Sequence, residues 1–111
     1  MLEKEKLLSL GSIVYLREGS LRMVVVGRHP TVKKDENKPI MFDYAAVSHP
    51  IGYAGDDKMF YFNHENIDKV VFEGFSNEDD ERFLEVMTEW KENHADEFEE
   101  GVIEKAIDEN E

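Results

Sequence analysis

Apolar and polar positions alternate in blocks along the chain. Two β-branched runs, Ile13–Leu16 and Met23–Val26, flank "REGS". Apolar runs separated by a short Gly-containing interval predict a β-hairpin turning around Arg17–Ser20, with Gly19 available for a positive φ. Gly27 falls within the second strand, at a position suited to a bulge. The polar stretch 30–39 is bounded by prolines and predicts a loop. "IMFDYAAVSH" predicts a third strand, "PIGYAGDD" a second loop, "KMFYF" a fourth strand and "DKVVFEG" a fifth. Between the last two lies "NHENI". Asn63 is a favoured helix cap and turn former, so this interval reads as one turn of helix with Ile67 directed inward.

From Ser76 the period changes. "SNEDDERFLEVMTEWKEN" opens with a Ser-x-x-Asp start and acidic residues in the first turn, which suit the positive end of a helix dipole. Phe83, Leu84, Met87 and Trp90 then recur at helical spacing with Val86 beside them, predicting an amphipathic helix to about Asn93. The pattern as a whole predicts an α+β fold: a mainly antiparallel sheet of about five strands covered by this C-terminal amphipathic helix. The expected core is Ile13, Val24, Val26, Phe42, Tyr44, Phe60, Phe62, Val70, Phe72, Phe83, Leu84 and Met87.

Charge divides the chain where hydropathy does not. Residues 1–75 carry 11 acidic and 10 basic side chains, whereas residues 76–111 carry 15 and 3. An acidic segment repels phosphate backbones and anionic membranes and attracts a basic protein surface, which argues against nucleic acid as a partner. A single domain over residues 1–93 and an acidic helix or tail over 94–111 follow from length and composition. In that last segment Phe98, Val102, Ile103, Ala106 and Ile107 fall at helical spacing, although Gly101 disfavours a helix interior. The expectation is a marginal helix that becomes firm against a partner, with a helix already docked on its own sheet as the alternative. With no cysteine, no long apolar stretch and no signal-like N-terminus, the chain reads as cytoplasmic, without membrane insertion.

Candidate chemistry concentrates on His64, Glu65 and Asp68, between the fourth and fifth strands. A zinc or iron site draws three or four ligands from local motifs. Here His29, His49, His64 and His94 are scattered, without His-x-His or His-Glu-x-x-His spacing. Asp56 and Asp57 lack the alternating ligands and closing glutamate of an EF-hand loop. The serines have no nucleophile-elbow context, and no glycine-rich phosphate loop is present. The expectation is a chain without catalytic residues, metal or cofactor, in which His64 and Glu65 are turn or recognition residues. Its partner-binding residues are expected among His64, Glu65, Asp68, Trp90, Phe98, Val102, Ile103 and Ile107.

The segments "LLSLGSIVYLREGSLRMVVVGR", "FDYAAVSHPIGY" and "FYFNHENIDKVVFEGFSNEDDERFLE" resemble the domain-of-unknown-function family 4176 of Gram-positive bacteria, across roughly residues 7–86. Ser9 stands where such proteins often have proline. Because members are commonly encoded beside type VII secretion components, the resemblance implies an accessory or targeting role in export of LXG-type toxins. Its protein partner would be a secreted toxin, its small helical partners or the export machinery. Two alternatives stand beside it: an immunity protein that blocks a toxin domain, and a small hydrolase or metal-dependent enzyme using His64. The resemblance supplies no catalytic residues, and the sequence leaves the oligomeric state open.

Overall fold

The two β-branched runs fold back on each other. Strand β1 (Ile13–Leu16) pairs antiparallel with β2 (Arg22–Arg28), with Ile13 opposite Val24. This arrangement comes from a computed structural model, which describes residues 7–33 and 38–101. The amide of Gly19 donates to the Leu16 carbonyl at 3.1 Å. Glu18 thereby becomes the third residue of a tight turn, the position that takes positive φ in a type II geometry. Its φ is 61°, so Glu18 and not Gly19 supplies the left-handed residue.

Beyond β2 the chain forms β3 (Thr31–Val32), within the stretch expected to be loop, and β4 (Ile40–Met41), at the start of the expected third strand; the two pair antiparallel. The predicted third strand is thus divided. Phe42 and Asp43 separate β4 from β5 (Tyr44–Ser48), which pairs with β2 across a register shift between Val25 and Gly27. Strand β6 (Phe60–Phe62) follows, and β7 (Ile67–Phe72) returns to pair with β1. The order in the main sheet is β6-β5-β2-β1-β7, antiparallel throughout.

The sheet's two edge strands are joined only by the 3-10 turn His64–Asn66 and its cap Asn63. Five strands at about 4.8 Å spacing would place flat edges about 19 Å apart. A four-residue 3-10 segment advances only about 8 Å. The sheet therefore curls, bringing its edges together around one core. That core is Val14, Leu16, Met23, Val25, Tyr44, Ala46 and Phe62, with Leu7, Leu8, Leu21, Phe60 and Ile67 packed against it.

Strands β1 and β2 run in the opposite phase to the expected one. Val14, Met23 and Val25 face the core, whereas Ile13 and Val24 lie half-buried on the other face and Val26 is exposed. A shift of one residue exchanges the faces of a strand. Ser12 helps to fix the observed phase: it is fully buried, and its hydroxyl accepts the Gly74 amide at 2.9 Å. Nor are Val70 and Phe72 core residues, since both remain exposed on the edge strand β7.

The helix α1 (Glu78–Asn93) begins one residue later than Ser76 would set it. Asn77 is the cap and accepts the Asp80 amide at 3.1 Å, while the Ser76 hydroxyl donates to the Asp80 carboxylate. Leu84 is the helix's buried residue; Phe83 is exposed and Met87 half-buried. After α1 the chain does not continue as a helix. Ala95–Glu97 form a 3-10 turn, and β8 (Glu99–Glu100) adds to β4 in parallel. Phe98, between them, is buried. The remainder of the expected acidic helix, including Val102, Ile103, Ala106 and Ile107, lies outside the described residues.

Candidate protein-binding surface

The turn carrying His64 is built from short polar contacts. Asn63 and Asn66 form a reciprocal capping box, with the Asn66 side chain accepting the Asn63 amide at 2.8 Å. Asn63 Oδ1 also accepts the Asp43 amide at 3.0 Å, and its Nδ2 donates to the Gly101 carbonyl at 2.8 Å. Asp43 Oδ2 accepts the His64 amide at 2.9 Å. One asparagine thus ties β5, the 3-10 turn and the end of β8 together.

The His64 ring bonds through Nδ1 to the Tyr44 hydroxyl at 2.7 Å, and that hydroxyl accepts the Leu8 amide at 2.9 Å. Tyr44 is fully buried, and burial pushes its hydroxyl well above its ordinary pKa. Glu65 is exposed, and its backbone carbonyl accepts Arg17 Nε at 2.9 Å. Asp68 is exposed on β7. His64 and Glu65 therefore share one turn, with Asp68 just beyond it. Among the described residues no three His, Asp or Glu side chains gather to hold a metal ion.

The other expected contact residues lie on a different element. Trp90 stacks on His94 with ring centroids 4.3 Å apart and on Phe98 at 6.1 Å. His94 Nδ1 bonds the Trp90 carbonyl at 2.7 Å. Trp90 remains partly exposed, whereas Phe98 is only 6% exposed and belongs to the interior rather than to a contact surface.

Sequence reasoning missed a larger feature, the apolar surface left in water. Val70, Val71, Phe72 and Phe75 are exposed along and just after β7, as are Phe83 and Val86 on α1. A signal for the first group is present in the sequence. Three consecutive apolar residues cannot all face one side of a strand of period two. The segment leaving β7 is pinned: Ser9 Oγ donates to the Gly74 carbonyl at 3.1 Å, and a Cβ on Gly74 would run into the Leu10 carbonyl. This close passage holds Phe75 out, 78% exposed.

The helix is anchored electrostatically. Arg28, at the end of β2, makes a two-pronged pair with Asp80, at 2.7 Å and 3.3 Å, and lies 5.2 Å from the centre of the Phe83 ring. Beside it, His29 has its pKa lowered by burial first and by the Lys91 charge second. Among the described residues no helix is long and apolar enough to cross a membrane.

A search of curated proteins found no match to this chain, and neither did a search of solved structures. The family comparison did. Residues 7–83 match the family model described as Domain of unknown function (DUF4176), and the chain belongs to that family.

Proposed function

We propose that the chain is a non-enzymatic, protein-binding accessory of type VII secretion. It acts in the cytoplasm as a targeting or chaperone-like factor that holds an LXG-type toxin, its small helical partners or part of the export machinery. The observation that carries this reading is the apolar surface of a strongly charged chain. Val71, Phe72, Phe75, Phe83 and Val86 stay in water while the net charge is −13. Covering one such side chain is worth about 1.5–3 kcal/mol, free energy that the folded chain leaves for a partner. The charge keeps free copies apart until that partner arrives. The type VII context rests on the resemblance of the chain to a family whose members are commonly encoded beside such loci. Against a catalytic His64 stand its surroundings, since its Nδ1 and the adjacent Asp43 carboxylate are engaged in contacts that hold the turn.

An immunity role is the second reading. It is favoured by α1, whose seven acidic and two basic residues suit the basic groove of a nuclease toxin. Mixing the chain with an LXG-type toxin from the same genome, followed by size-exclusion chromatography with light scattering, tests both. An accessory factor forms a complex of fixed stoichiometry and leaves toxin activity intact, while an immunity protein abolishes the activity. No complex with the toxin contradicts the immunity reading, and no complex with its helical partners or the export machinery either contradicts the accessory reading as well.

A further inference from the structure

The helix α1 carries a second apolar strip beside the side it buries. Successive residues turn by about 100°, so Leu84, Met87, Asp80 and Lys91 share the side that meets the body. Phe83, Val86 and Trp90 share an adjoining strip and remain 44%, 56% and 38% exposed. Their spacing of three and four residues makes a ridge about 10 Å long. Trp90, held by His94 and Phe98, forms a pre-ordered end of that ridge.

Carboxylates define the border. Glu78, Glu85 and Glu89 follow the strip around the helix, all exposed. The two basic residues of α1 do not offset them: Arg82 lies 3.2 Å from Asp79, and Lys91 lies 3.7 Å from Glu100. Such a ridge selects its partner by sign, repelling an acidic segment and drawing in a basic one whose apolar residues then cover the strip.

Resting on the protein-binding reading above, we infer that Phe83, Val86 and Trp90 dock a cationic amphipathic helix. This partner segment carries apolar residues three and four apart, with Lys or Arg beside them. A helix suits a convex ridge because ridges of one helix pack into the grooves of another. An extended peptide would instead need an even strand edge. The exposed edge strand β7 shows two register shifts against β1, and such irregularities break the even ladder that an added strand requires.

Trp90 is the chain's only tryptophan, so its emission reports from within the strip. The full chain is titrated with three synthetic peptides of about 18 residues, long enough for several helical turns. One has leucine along one helical face and lysine elsewhere. The second replaces lysine by glutamate, and the third scrambles the leucine–lysine order. The ordered leucine–lysine peptide should give a saturable blue shift, with the other two at least about tenfold weaker. Val86→Glu should weaken the ordered peptide about tenfold with the thermal midpoint unchanged. As a second variant, Glu85→Lys/Glu89→Lys should shift preference toward the leucine–glutamate peptide. Equal response to ordered and scrambled peptides overturns the site, as does unchanged peptide binding by both variants. A toxin complex that survives Val86→Glu also overturns this site while leaving the protein-binding reading intact. Absence of any complex of the unsubstituted chain with the toxin, its helical partners or the export machinery overturns that reading instead.

Discussion

Asp80→Ala should be among the most destabilising substitutions on the helix, although Asp80 is not an apolar residue. The Arg28 side chain is 4% exposed and that of Asp80 18%. A guanidinium does not give up its proton, so Arg28 stays charged whatever surrounds it. Without Asp80 it would keep the Leu8 carbonyl at 3.5 Å and the face of Phe83, while its Nε already has no hydrogen-bond partner among the described residues. Removing one partner of a buried pair costs about 3–5 kcal/mol, and the partial access of water to Asp80 sets this case near 3 kcal/mol. Arg28→Met keeps most of the volume and leaves a carboxylate that water can reach, so about 1–2 kcal/mol is expected. The double variant should be more stable than Asp80→Ala alone, because no buried cation remains. At about 4 °C per kcal/mol, Asp80→Ala should lower the thermal midpoint by about 12 °C, read by far-ultraviolet circular dichroism. A loss below about 1 kcal/mol would refute the reasoning, and so would Arg28→Met costing more than Asp80→Ala.

Four further substitutions probe other parts of the molecule. Leu84→Ala should cost about 2–4 kcal/mol and Phe83→Ala about 1 kcal/mol, because the first is buried and the second half in water; urea midpoints check the order. Gly74→Ala should cost about 2 kcal/mol or more, since its Cβ meets the Leu10 carbonyl, and a midpoint within error of the parent contradicts the close passage. The lowered pKa of His29 means that the unfolded chain binds its proton more readily below the ordinary value of 6.5. Its contribution is therefore present above that pH and lost as pH falls, by up to about 1.4 kcal/mol per pH unit. His29→Asn, which tolerates the residue's φ of 55°, should flatten the acid limb of the stability–pH curve; an unchanged limb contradicts the assignment.

What the sequence made legible was local. The capped turn at Asn63–Asn66 could be read because capping operates over three residues, and the hairpin because its runs and turn are contiguous. Strand phase could not be read. "IVYL" and "MVVV" are apolar at nearly every position and carry no alternation, so the choice of Val14 over Ile13 depends on contacts such as Ser12 with Gly74, far along the chain. Ser76 and Asn77 are both good caps, and only the helix geometry distinguishes them. The pairing of β8 with β4 joins residues near 40 and 99 through no local signal. At the candidate surface, helical spacing placed Trp90 on an apolar stripe. Which of two adjoining strips would be buried was set from a distance by Arg28, which pulls the Asp80 side of α1 against the body.

In the function proposed above, the apolar surface left exposed on this acidic domain is covered by another protein. Isothermal titration of the chain against an LXG-type toxin from the same genome, together with its small helical partners and at several temperatures, tests it most directly. Saturable binding with a negative heat-capacity change, the mark of apolar burial, is the predicted result. Val86→Glu should weaken that binding by about tenfold. An absence of saturable heat at every temperature, or binding with no heat-capacity change, would contradict the account.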